Sequence, residues 1–349
     1  MEVIENNIGR YKGCDVVALT LKNDQGVEVV ILTTGATIQH FYVPQPDGNK
    51  KDLVLGFDNF EAYYRNSYCM GQTIGRVAGR ISGEPVFLED YVYHLPKNEG
   101  EHTLHGGLEG LQHQNWDYLI LNDGPEYIEV KLSLHQLEEQ DQFPGDMDVE
   151  VSYRLDNTNQ LSLTFSGKAI RHSTLFNPTN HLYFNLSQHP DLRSHRLEIA
   201  ADQYLELDQS LLPTGQLLDV SNTTYDFRLG RNLGERIASH GGLDDVFVVS
   251  DPADSRLKVI AKLNDEESGD TITVLSDRAG LVIYTLNEVN SDLYLSRDKG
   301  KPALVHAGVA MEAQSLPDAI HRPNFGDITL SENQEKTYHI VFQYDNTNH

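Results

Sequence analysis

The chain has 349 residues, of which 39% are hydrophobic and 23% charged, the make-up of a globular protein long enough to bury a large core. Its 27 lysines and arginines stand against 52 acidic residues, a formal net charge of −25. That balance argues against nucleic acid and anionic membrane surfaces, which demand clustered cations, and favours a neutral small-molecule partner; its plainer reading is solubility.

The first residues, Met1 to Asn7, are acidic and lack the apolar run of a signal peptide, and no stretch approaches the roughly 18 apolar residues of a membrane span. The two cysteines, Cys14 and Cys69, belong to no motif, so neither a disulfide framework nor a cysteine metal site is expected. The simplest expectation is a cytoplasmic protein, monomer or homodimer.

In chain order, turns are expected at Asn23-Asp-Gln-Gly and Asp47-Gly-Asn, a two-turn helix at Asn59 to Asn66, and a further turn at Asn122-Asp-Gly-Pro. Alternation of apolar and polar residues marks strands at Ile128–Leu134, at Met147–Leu155 and at Leu161–Phe165, the last two joined by Asp156-Asn-Thr-Asn into a hairpin with one dry face. Leu233 to Ser239 has the length of a second short helix. Leu257, Val259, Ala261 and Leu263 alternate again, and Tyr338 to Tyr344 is β-rich. Short strands from end to end predict an all-β fold, an antiparallel sandwich or barrel with a few short helices. No linker, repeat or low-complexity tract divides it, so residues 1–349 read as one domain.

Several positions carry chemistry. His181 follows Asn177-Pro-Thr-Asn and precedes Leu182-Tyr-Phe, which places it where a loop becomes a strand. Its ring titrates near neutral pH when unperturbed, but one histidine among 15 is more often structural. His102 and His105, three apart, fall on opposite faces of a strand and would not chelate a metal together. His105 is as readily a packed histidine as a functional one, and Gly106-Gly107 behind it implies a tight turn or a close backbone approach. Arg76 and Arg80, four apart, point the same way if the segment is extended; each alone fits a structural ion pair slightly better than ligand binding. Of Asp244 and Asp245 only one can face a given pocket, and a turn or capping role is the ordinary fate of such aspartates. Glu312 interrupts a small, apolar run from Val305 to Ala313, where a carboxylate is buried, paired or functional. Phosphate loops, nucleophile elbows and dinucleotide fingerprints are absent.

The ordered set Leu55-Gly-Phe-Asp, Gly75-Arg-Val-Ala-Gly-Arg-Ile, Thr103-Leu-His-Gly-Gly, Phe143-Pro-Gly, Asn177 to Leu186, Pro213-Thr-Gly, Asp226-Phe-Arg, Gly241-Gly-Leu-Asp, Tyr284-Thr and Glu312-Ala-Gln-Ser-Leu-Pro-Asp-Ala resembles the aldose 1-epimerase (galactose mutarotase) family along nearly the whole chain. The resemblance implies a large antiparallel β-sandwich with an open sugar cleft and no cofactor or metal. It implies His181 as general acid, Glu312 as general base, His105 as a second active-site histidine, and Arg80 and Asp244 as sugar-binding residues. Two positions depart from the family pattern. Gly79 stands where an asparagine is usual, and Val282 where a glutamine is frequent. Both concern sugar hydroxyls, so the preferred sugar is less defined than the chemistry, and a disaccharide such as maltose stays open beside glucose and galactose.

Anomer exchange needs one group to take the C1 hydroxyl proton and another to protonate the ring oxygen. In this reading Glu312 takes the first role and His181 the second, as an imidazolium whose pKa is raised by the acidic protein. A glycoside hydrolase using Glu312 and Asp244 would leave both histidines idle. A sugar-binding protein without catalysis would not need His181 and Glu312 together.

Overall fold

The computed structural model describes residues 1–65 and 67–346. Its three large sheets are antiparallel throughout. A five-stranded sheet runs in chain order through Glu2–Tyr11, Cys14–Lys22, Glu28–Leu32, Thr37–Pro44 and Lys50–Asp52. A nine-stranded sheet has the order Asp117–Asp123, Tyr127–Gln136, Asp146–Asp156, Gln160–Arg171, Glu335–Asn346, Asp270–Ser276, Lys258–Asp265, His195–Ile199 and Arg231–Asn232. A six-stranded sheet has the order Tyr183–Phe184, Val309–Gln314, Gly280–Tyr284, Asp244–Val248, Gln203–Leu207 and Pro213–Asp219.

One continuous cluster of buried side chains joins all three. It includes Leu19 and Ile31 of the first sheet, Val130, Val151, Phe165 and Phe342 of the second, and Phe247, Leu281 and Met311 of the third. Each large apolar side chain so buried contributes about 1.5–3 kcal/mol. This is the sandwich expected from the alternation. Met147, Val149, Val151, Tyr153 and Leu155 are all fully buried, and their strand pairs with Gln160–Arg171 in a register that sets Leu155 against Leu161 and Val151 against Phe165.

The structure departs from expectation in three places. The alternation from Leu257 to Leu263 breaks at a β-bulge between Val259 and Ala261, so Leu257 and Val259 face solvent while Ile260 turns into the core. The first short helix covers Glu61–Arg65; its expected last residue, Asn66, lies outside the described residues. A third helix, Glu138–Asp141, was not anticipated, whereas Leu233–His240 falls where the second was expected, with Asn232 Oδ1 accepting the Glu235 amide as its cap. Among the described residues no helix is long and apolar enough to cross a membrane.

The six-stranded sheet positions the site. Its period of two sends Phe184, Val309, Met311, Ala313, Leu281, Ile283 and Phe247 into the shared core. The intervening residues Tyr183, Glu312, Gln314, Val282, Tyr284, Asp244 and Val246 line a cavity on the opposite face.

Candidate active site

That cavity measures about 490 Å³ and brings together all five residues that the family resemblance implies for the site: His105, His181, Glu312, Arg80 and Asp244. The ladder explains why residues so distant in the chain meet. Val282 pairs with Glu312, Tyr284 with Ala310, Asp244 with Tyr284, and Tyr183 with Ala310, so neighbouring strands present their side chains in one layer.

His181 lies between two two-residue strands, Thr179–Asn180, which pairs with Thr73–Ile74, and Tyr183–Phe184, rather than where a loop becomes a strand. Its amide donates to the Gln72 carbonyl at 3.0 Å and its carbonyl accepts from the Gly71 amide at 2.9 Å. Thr179 Oγ1 donates to the Ala313 carbonyl at 2.9 Å, tying this segment to the strand that carries Glu312. Asn180 Nδ2 donates to the Gly71 carbonyl at 2.9 Å. Asn177 Oδ1 accepts from the Ser315 amide at 2.8 Å and from the buried guanidinium of Arg278.

The resulting geometry sets His181 Nε2 3.2 Å from Glu312 Oε1, with both residues buried, at 5% and 2% exposure. His181 Nδ1 and Glu312 Oε2 are buried without partners. The His181 ring lies 4.8 Å from that of Tyr183 and meets His105 edge to face at 5.4 Å. Burial drives the ionisations apart. Glu312 is pushed up to about 8, first by desolvation and then by Asp244, with Arg80 opposing. His181 is pushed down to about 4, chiefly by desolvation. This corrects the expectation of a raised histidine: the acidity of the whole protein does not outweigh the loss of water around a buried ring.

His105 has a left-handed backbone, φ +51°, and its amide donates to the Gly79 carbonyl at 3.0 Å. The Gly79 amide in turn donates to His105 Nδ1 at 3.2 Å. A ring whose Nδ1 accepts carries its proton on Nε2 when neutral. Burial and the neighbouring His181 and Arg80 hold it neutral, well below the usual histidine range. Gly106, φ +77°, is required here, since a Cβ would lie 1.8 Å from the Gly75 carbonyl oxygen. The close approach inferred from the paired glycines is therefore to backbone.

Arg76 and Arg80 part company. Arg76 is fully buried, forks onto Asp141 at 2.6 and 2.9 Å, and donates to the carbonyls of Pro144 and Gly145 and to Thr174 Oγ1, so it is structural. Arg80 reaches the cavity and forks onto Glu99 at 2.6 and 2.9 Å. Positive φ at Gly79 interrupts the extended run that would have kept the two arginines on one side. Asp244 lines the cavity while Asp245 does not, as alternation requires, and burial raises the Asp244 carboxyl against the pull of Arg80. Tyr183, Glu99, Tyr284 and Gln314 also line the cavity without having been singled out. Stepping by two from His181 and from Glu312 would have found Tyr183 and Gln314.

His105, His181 and Glu312 each offer a donor atom within 4.8 Å of the others, so the trio could also hold a metal ion, whereas His102 is apart, its Nδ1 accepting from the Gly83 amide. A second cavity of about 800 Å³ adjoins the first across Ser67, Tyr68, Glu99, His105 and Asn290.

A family model described as aldose 1-epimerase matches residues 17–343. The chain is 48% identical over 341 residues to an aldose 1-epimerase of Streptococcus thermophilus, covering 97% of each. It is 35% identical over 351 residues to a maltose epimerase of Levilactobacillus brevis, covering 99% of each. The crystal structure of a galactose 1-epimerase from Lactobacillus acidophilus superposes with a TM-score of 0.84 at 26% identity, covering 99% of both chains.

Proposed function

The chain belongs to the aldose 1-epimerase family and is an isomerase of the mutarotase type, and on that footing we propose that it interconverts the α and β anomers of a free hexose, glucose or galactose, with His181 and Glu312 as the proton-transferring pair. The observation that carries this is the buried 3.2 Å contact between His181 Nε2 and Glu312 Oε1 at the wall of a cavity of about 490 Å³.

The pair shares one proton. With the proton on His181, the Glu312 carboxylate takes the C1 hydroxyl proton, His181 gives its proton to the ring oxygen, and the C1–O5 bond breaks to leave the open-chain aldehyde. Rotation about C1–C2 presents the other face. Neutral His181 then takes back the proton from the O5 hydroxyl, O5 attacks C1, and protonated Glu312 returns its proton to the C1 oxygen. Atoms and charge balance, and the pair ends as it began. Burial of the two side chains favours the ring-closing placement, proton on Glu312. A sugar hydroxyl donating to Glu312 stabilises its carboxylate and so favours the ring-opening placement. Each transfer contributes roughly 10²–10⁴-fold.

His105, neutral and protonated on Nε2, is suited to donate to the ring oxygen or to the charge developing there. Arg80 and Asp244 hold hydroxyls so that only C1 turns. Neither step calls for a cofactor, and the protein acts on a neutral sugar. The shared core, which runs from Val17 to Tyr344, supports the reading of one domain, and two free cysteines support a reducing, cytoplasmic setting.

A second reading, an epimerase acting on the reducing end of a disaccharide such as maltose, is favoured by the adjoining 800 Å³ cavity. Polarimetry on freshly dissolved α-glucose, α-galactose and maltose tests both. Acceleration on the monosaccharides supports the first reading, and acceleration on maltose alone the second. No acceleration on any sugar sinks both.

A further inference from the structure

Gln314 is fully buried, lines the sugar cavity, and has neither amide atom satisfied: Nε2 and Oε1 both lack a hydrogen-bond partner. Buried polar groups are almost always paired, because a buried amide without partners forfeits the bonds it would make to water. Arg278 and His181 also leave buried atoms unpaired, but each makes another polar contact, whereas the Gln314 amide makes none. What lies beside it is Gly79, whose Cβ position would be 3.2 Å from Gln314 Oε1. A side chain there would crowd or partner the amide; glycine leaves it facing the cavity.

Gln314 also has a fixed relation to the acid–base pair. It is two residues from Glu312 on the same strand and the same face, so the two side chains leave the strand about 7 Å apart along the wall. That separation is comparable to the width of a pyranose from the anomeric oxygen to the far edge of the ring. An amide offers one donor and one acceptor, which suits a hydroxyl that both accepts and donates.

We propose that Gln314 is a specificity-determining residue that grips a hydroxyl on the far edge of the sugar ring, at C3 or C4, through the opening left by Gly79. The assignment rests on the mutarotase reading of the site, since it takes Glu312 to be at C1. It makes that ring edge a required feature of the substrate: an aldopyranose lacking the hydroxyl leaves the amide buried and unpaired.

The test compares glucose with its 3-deoxy and 4-deoxy analogues in polarimetry, on wild type and Gln314→Met. In wild type one of the two analogues loses about 5- to 100-fold in kcat/KM. In Gln314→Met, glucose falls by a similar factor and the deoxy analogue falls no further, while the pH profile keeps its limbs. The proposal is overturned if Gln314→Met handles glucose as wild type does, or if the deoxy penalty survives the substitution. Should that variant not fold, Gly79→Asn provides the same test, because asparagine tolerates positive φ and supplies the amide with a partner. KM for glucose then rises and the deoxy penalty shrinks; an unchanged KM and penalty overturn the proposal. A wild-type protein that accelerates mutarotation of no sugar sinks the underlying activity instead, a separate outcome.

Discussion

His181 Nε2 and Glu312 Oε1 are 3.2 Å apart although 131 positions separate them in the chain, and burial shifts their ionisations in opposite directions, His181 to about 4 and Glu312 to about 8. Between those limits the pair holds one proton. Below about 4 both groups are protonated and no base remains; above about 8 both are deprotonated and no acid remains. The expected kcat/KM profile is therefore a plateau from about pH 4 to about pH 8, falling on both sides, with limbs that belong to the pair rather than to either residue. A single limb near pH 6.5 would contradict this.

Glu312→Gln and His181→Asn should each lower kcat by roughly 10²–10⁴-fold, with the double variant little worse than either alone, because the two act as one unit. A Glu312→Gln variant that mutarotates at the wild-type rate removes Glu312 from the mechanism.

Glu312 should also reduce stability at neutral and alkaline pH. Its folded pKa is raised above the unfolded value, so the folded state holds a proton that the unfolded chain releases. No cost exists below about pH 4.5; the cost grows as pH rises toward about 8 and then levels off. Glu312→Gln should match wild type in thermal unfolding at pH 4 and exceed it at pH 8, by a difference on the order of 1–3 kcal/mol. A lower melting temperature at pH 8 would show that the carboxylate is better satisfied than its burial implies.

The two arginines of Gly75-Arg-Val-Ala-Gly-Arg should separate cleanly. Arg76→Met strands a buried Asp141 and should cost about 3–5 kcal/mol of stability. Arg80→Met loses a partly exposed ion pair with Glu99 and should cost at most about 1 kcal/mol. Its effect should appear instead as a raised KM for sugar. Denaturant melts beside steady-state polarimetry distinguish the two, and equal stability losses would contradict the division.

Gly106→Ala should displace His105. The new methyl meets the Gly75 carbonyl oxygen, and the left-handed backbone adds strain, for a combined cost of roughly 2–4 kcal/mol. Gly100→Ala shares a positive φ, +57°, but meets nothing within 4 Å, so it isolates the backbone cost. Comparable activity and stability in the two variants would mean that the close approach at Gly106 is dispensable.

Much of the sandwich was legible because period two is a local signal. The hairpin of Met147–Leu155 and Leu161–Phe165 has the burial its alternation requires. At Leu257–Leu263 the same signal misled, since a bulge inserts a residue and reverses the faces without any mark in composition. Glu312 was legible as a charge within an apolar run. The Arg80–Glu99 pair was not, because the intervening loop brings together residues whose spacing encodes no contact. The Glu312 and His181 ionisations depend on how completely water is excluded, which belongs to the packed sheet face and not to sequence neighbours.

The lacing of the Asn177–His181 segment has a consequence for how firmly its backbone is held. The Gly71 and His181 amides, Thr179 Oγ1 and Asn180 Nδ2 all bond to fixed backbone, with Asn177 pinned by Ser315 and Arg278. The backbone that carries His181 cannot open locally without breaking several of these at once. The Gly71 and His181 amides should therefore exchange slowly with deuterium.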